Sequence, residues 1–173
     1  MKKVALVGSA AGWQDAPYHD PSYEIWSLNN VYNKIRSHPN GRWTRWFDIH
    51  DNVKDRQKHR QQLAKLGCPV YVFQEYPDIP NSVLYPLEEI KREFFRNVNR
   101  KQFFTSSIAY MVALAIYEGY DEISLYGINQ ALKTEYAKHL PCTDFWLGVA
   151  VGRGIKVEVQ KHSNVLNPEA LYK

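Results

Sequence analysis

Short apolar runs alternate along the chain with longer stretches of helical spacing. Lys3–Val7 (KVALV) stays apolar after its first residue, the pattern of a strand covered on both faces, as in a parallel sheet. Tyr23–Leu28 (YEIWSL), Thr44–Ile49 (TRWFDI), Pro69–Phe73 (PVYVF), Glu122–Tyr126 (EISLY) and Ile155–Val159 (IKVEV) read as further strands. Helices are predicted over Val53–Leu66, stopped by Gly67, and over Pro86–Phe95, with proline near the start. The strongest helical signal is Ser106–Glu118 (SSIAYMVALAIYE). Its broad apolar face predicts burial, Thr105 or Ser106 supplies a capping hydroxyl, and Gly119 is placed to end it. A last helix is predicted over Thr143–Arg153, capped by Thr143, with Gly154 beyond its end. Strands and helices in this order predict an α/β fold: a Rossmann-like open, mostly parallel sheet of about six strands with helices on both faces. One such domain accounts for residues 1–173. The segment 74–86 holds Pro77, Pro80 and Pro86 and is expected to form an irregular excursion or lid.

Open parallel sheets bind ligands beyond the carboxyl ends of their strands. The residues at those ends are Gly8-Ser9-Ala10-Ala11-Gly12, Asn29-Asn30, Asp48-Ile49-His50-Asp51, Gly127-Ile128-Asn129, and His162-Ser163. Gly8, Ser9 and Ala10 could offer backbone N–H groups to a phosphate, or form a turn where bulk does not fit. The spacing is neither G-x-G-x-x-G nor that of a P-loop, and no P-loop lysine follows. Asn29 and Asn30 carry amides suited to a base or ribose hydroxyls, or to turn formation. Asp48, His50 and Asp51 set two carboxylates around an imidazole. Asp48 and Asp51 could hold Mg²⁺ beside a substrate's phosphates, with His50 as general acid or base. The alternative is a hydrogen-bonded strand end with Asp51 as a helix cap. Ser106 and Ser107 would suit phosphate or carboxylate at the helix N-terminus, and capping explains them equally well. No G-x-S-x-G elbow marks a hydrolase serine. Glu135, Tyr136 and His139 lie where a segment could close over the cleft.

Composition narrows the classes. The 173 residues carry a net charge of +4 and are 14% aromatic, with 12 Tyr, 5 Trp and 7 Phe. The mild positive charge favours phosphorylated small molecules. Nucleic acid is not the expected partner, because the densest basic run, residues 54–60, carries an acid in its middle and reads as a solvated helix face. Cys68 and Cys142 are far apart and form neither a zinc spacing nor a disulfide framework, which points to a reducing, cytoplasmic compartment. No run of about 18 apolar residues predicts a membrane span. The aromatic-rich surface allows a homodimer.

Five stretches together carry a resemblance: VGSA, IWSLNN, RWFDIHD, TSSIAYMVALAIYEGYDEISLYGIN, and EY followed by FWLGVAVGRGI. Over nearly its whole length the chain resembles a group of small tailed-phage proteins. These are similar to the Rossmann-like domain of archaeal 6-hydroxymethylpterin diphosphokinases and, more distantly, to motility-accessory and sialyltransferase-like proteins. The wider link rests on the Gly8 loop, on Asn29-Asn30, and on Ser106-Ser107 with the strand end Leu125-Tyr126-Gly127. The family's G-x-G-P-S loop and Gly-x-Asp strand end depart here, with Asn129 in place of the acid. The resemblance implies a nucleotide-type pocket, in the host cytoplasm if the protein is a phage's. Two functions follow as expectations. One is a Mg²⁺-dependent transferase, diphosphokinase-like or glycosyl-type, on a nucleotide or nucleotide-sugar. The other is a non-catalytic binder that sequesters a nucleotide-derived signal.

Overall fold

The computed structural model describes residues 1–50, 56–97, 103–130 and 138–167. Seven strands form one sheet: β1 (Lys3–Val7), β2 (Tyr23–Leu28), β3 (Arg45–Phe47), β4 (Val70–Val72), β5 (Ser82–Leu84), β6 (Glu122–Tyr126) and β7 (Lys156–Val159). Their order is β5-β4-β3-β2-β1-β6-β7. Every pairing is parallel, and β1 pairs along its whole length with both β2 and β6. Val4, Ala5, Leu6 and Val7 are wholly buried, as their unbroken apolarity requires.

The helices are α1 (Tyr32–Ile35), α2 (Gln57–Leu63), α3 (Leu87–Phe94), α4 (Ser107–Tyr117) and α5 (Leu140–Gly152). The connections from β1 to β5 run one way along the sheet, and those to β6 and β7 run the other. Right-handed crossovers therefore set α4 and α5 on the face opposite α1 and α2. The apolar α4 is buried from Ser107 to Ile116 except at Tyr110. It packs on α5 and α3, where Phe95, Phe103, Phe145 and Trp146 interlock.

The structure corrects the sequence reading at three places. The proline-rich segment 74–86 is not wholly irregular, because Ser82–Leu84 adds an edge strand beside β4. Thr143 does not cap α5. That helix begins three residues earlier, His139 holds the N-cap position, and buried Thr143 donates its hydroxyl to the His139 carbonyl (3.4 Å). The polar helix ends at Leu63 rather than Leu66, and its predicted start at Val53 lies outside the described residues. Ser106 caps α4 as expected, its Oγ accepting from the Ala109 N–H at 3.2 Å. No helix among the described residues is long and apolar enough to cross a membrane.

A charged network closes the amino-terminal edge of the sheet, away from the strands' carboxyl ends. Arg45 donates to Glu24 (3.1 Å), Glu118 (2.7 Å) and the Tyr71 hydroxyl (3.0 Å), and lies over the Trp26 ring. Burial alone would raise the Glu24 carboxyl. Hydrogen bonds from Tyr120 and Trp26, with the Arg45 charge, outweigh that and hold it below its ordinary value.

Candidate functional site

Because β2 lies on one side of β1 and β6 on the other, the sheet has its switch point between β1 and β6. A crevice opens beyond the carboxyl ends at such a point. Here it is a cavity of about 650 Å³, within the usual size for small-molecule sites. Gly8, Ser9, Ala10, Asn29, Asn30, His50, Ser106, Ser107, Gly127 and Asn129 all line it. Residues from five separate stretches of sequence thus converge on one volume.

The glycine loop does less for a ligand than its composition suggests. The Gly8 and Ala10 N–H groups donate to Tyr126 and Gly127 carbonyls at 2.8 and 2.7 Å. Both are thereby committed to the β6 end and cannot also cradle phosphate. A Cβ on Gly8 would fall 2.5 Å from the Gly127 oxygen, and one on Gly127 (φ 60°) would fall 2.7 Å from Trp13 Cβ. The small residues let two main chains touch.

Asn29 is held at φ 50°, a left-handed conformation that asparagine tolerates better than most side chains. Its backbone is pinned there, the N–H on the Phe47 carbonyl (3.0 Å) and the carbonyl on the Trp46 indole (3.0 Å). Its side-chain oxygen meets His50 Nε2 at 3.0 Å, which orients that imidazole at the cavity wall.

Asp48 lies elsewhere. Its side chain is fully buried and outside the cavity lining. One oxygen accepts from Arg56 at 3.1 Å and the other is bonded by His59 Nε2. His59 in turn meets the Tyr32 hydroxyl at 3.1 Å. The carboxylate therefore anchors α2 to the end of β3. Asp51 lies outside the described residues. Among the described residues, no Asp or Glu lines the cavity and no group of three or more His, Cys, Asp or Glu could hold a metal. This donor set does not fit Mg²⁺ bound through Asp48.

The opposite wall is built by helix starts. α4 opens at Ser106 and α5 at His139, both in the lining, so two sets of positively polarised N-terminal amides flank the cavity. Ser106 Oγ also lies 3.3 Å from Thr143 Oγ1 and 3.5 Å from Gln130 Nε2. Gln130 is 4% exposed, and its Oε1 has no hydrogen-bond partner among the described residues. Such a buried orphan costs about 1–3 kcal/mol. Phe104 and Tyr110, stacked at 4.7 Å, give the cavity an aromatic side. Sequence reasoning missed Gln130, Phe104 and Tyr110, which no local motif marks. It also missed Asn164, whose side chain bonds both the N–H (2.7 Å) and the carbonyl (2.5 Å) of Gln130. Ser163 donates to the Ile128 carbonyl at 2.7 Å, so the segment after β7 braces the cavity floor. Glu135 and Tyr136 lie outside the described residues.

Comparison with family models and with curated proteins returns no match. Solved structures do match, and all three described here are sialyltransferases. CstII from Campylobacter jejuni, in complex with the substrate analogue CMP-3FNeuAc, aligns with TM-score 0.64 and 20% identity over 96% of this chain and 84% of that one. An α-2,3-sialyltransferase from C. jejuni in apo form aligns with TM-score 0.60 and 17% identity over 96% and 78%. CST-II with a trisaccharide acceptor and CMP aligns with TM-score 0.58 and 20% identity over 98% and 83%. At these identities the likeness establishes the fold: the chain is a Rossmann-like α/β protein. Its neighbours fall on the sialyltransferase-like side of the resemblance, and these three offer no counterpart to the phage or diphosphokinase side.

Proposed function

We propose that the cavity binds a nucleotide of the CMP type and that the protein transfers a glycosyl group from a nucleotide-linked sugar. The observation that carries this reading is the cavity at the switch point. It gathers Asn29, Asn30, Asn129, Ser106 and Ser107 within a fold shared along nearly its full length with CMP-bound transferases. Neutral O–H and N–H donors at the start of α4 suit one phosphate. The asparagine amides suit ribose hydroxyls and a base edge. His50, oriented by Asn29, and His139 are the candidate bases. Either would take the proton of an acceptor hydroxyl as its oxygen attacks the anomeric carbon. The bond from that carbon to the phosphate oxygen then breaks, and the electron pair leaves with the nucleotide.

A second reading is a binder without turnover, holding a nucleotide-derived signal in the same cavity. It is favoured by a lining that, among the described residues, offers no carboxylate to stabilise an oxocarbenium-like transition state. A diphosphokinase role through Asp48-bound Mg²⁺ finds less support, since that carboxylate is buried on Arg56 and His59. Calorimetric titration with CMP, followed by incubation with CMP-linked sugars and mass spectrometry of the products, tests the proposal. Binding with release of CMP and a glycosylated acceptor is expected, lost in His50→Ala or His139→Ala. Binding with intact donor returns the second reading, and no binding at millimolar CMP overturns both.

A further inference from the structure

Gln160 follows β7 and lies outside the cavity lining, yet its amide ties together the two loops that form one wall of the cavity. Its Oε1 accepts from the Gly127 N–H at 2.9 Å, on the β6 side. Its Nε2 donates to the Gly12 carbonyl at 2.9 Å and to Asp15 Oδ2 at 3.0 Å, on the β1 side. Rotating the amide would set donor against donor, so its orientation is fixed. Gly12, at φ 87°, makes room for it, because a Cβ there would fall 2.4 Å from Gln160 Oε1.

We infer that Gln160 is a positioning residue, a clamp that fixes the outer β1 loop against the β6 end and so holds in place the cavity wall that the two loops form together. Both tied loops carry lining residues: Gly8, Ser9 and Ala10 on one, Gly127 and Asn129 on the other. The Gly8 and Ala10 N–H bonds join the loops close to the strands, whereas Gln160 joins them further out, at Gly12. Removing it frees the outer part of the β1 loop while leaving β1 paired.

This inference rests on the nucleotide reading of the cavity, and CMP is the probe. Wild type, Gln160→Ala and Gln160→Glu are titrated with CMP, and melting temperatures and hydrogen–deuterium exchange are measured in parallel. Gln160→Ala is expected to weaken CMP about tenfold, from the loss of two main-chain hydrogen bonds across the site, and to raise exchange in residues 8–12 and 127–130. Gln160→Glu supplies a readout that a merely structural role would not move. Protonated, its carboxyl can still donate to the Gly12 carbonyl. Ionised, it faces Asp15 and that carbonyl, with His162 (3.2 Å from the Ala11 carbonyl) the nearby group that could offset it. Its affinity relative to wild type should therefore rise as pH falls, approaching unity at about pH 4, and be several-fold lower by about pH 8. Unchanged affinity and exchange in both variants, with wild type binding CMP, would overturn the clamp alone. Wild type failing to bind CMP defeats the nucleotide reading, and raised exchange in Gln160→Ala would then still support the clamp as a device of the loops.

Discussion

Replacing Asp48 by alanine should lower the melting temperature rather than remove a catalytic group. The carboxylate is wholly buried and His59 is 11% exposed, so their bond is a shielded, charge-assisted one, worth about 1.5–3 kcal/mol. Arg56 is 38% exposed, so water screens its pairing, which adds less than about 1 kcal/mol. The expected loss is about 2–4 kcal/mol. For a chain of this length each kcal/mol lowers the melting temperature by about 2–4 °C, so a fall of about 5–15 °C follows. Asp48→Asn keeps the shape and one acceptor oxygen and should lose less. Melting curves followed by circular dichroism give the stability. CMP titration well below both melting temperatures gives the site, which should retain most of its affinity. If Asp48→Ala melts within about 2 °C of wild type yet loses ligand or turnover, the carboxylate acts on substrate and the anchoring account is wrong.

Two further outcomes bear on the scaffold. Arg45→Met strands partly buried Glu24 and Glu118 and should cost about 2–3 kcal/mol at neutral pH. Glu24 is held below its ordinary pKa in the folded protein, so its contribution is present above the unfolded value and lost as pH falls through the folded one. The melting difference between Arg45→Met and wild type should therefore narrow in acid, and a difference that does not change with pH would contradict the account. Burial pushes the Cys68 thiol up to about 12, so in a Cys142→Ser background native protein should resist alkylation at mildly alkaline pH and react once unfolded. Rapid native alkylation would mean that the loop around Gly67 opens.

Much of the fold could be read because its signals are local. The unbroken apolarity of Val4–Val7 marks a central strand, and Ser106 before an apolar helix marks a cap. The place of the cavity follows from strand ends alone. β5 was hidden because three residues between prolines carry too little periodicity to count as a strand. Asp48 has His50 and Asp51 as sequence neighbours that look like partners, while the side chains bonded to it, Arg56 just before α2 and His59 within it, stand 8 and 11 residues further on. Gln160 and Asn164 were invisible for a similar reason. Each acts on main-chain atoms distant in sequence, and a backbone group leaves no residue-type signature.

Gly8, Gly12 and Gly127 exclude side chains because of what stands on the facing loop: the Gly127 carbonyl, the Gln160 amide, and the Trp13 and Ala10 atoms respectively. The two rims thus form one unit of variation. A library that randomises the β1 loop alone should return mostly poorly folded chains, because the opposite rim leaves no room for new side chains. Diversifying both loops together with position 160 gives the rim room to rearrange, and that is where altered ligand preference should be sought.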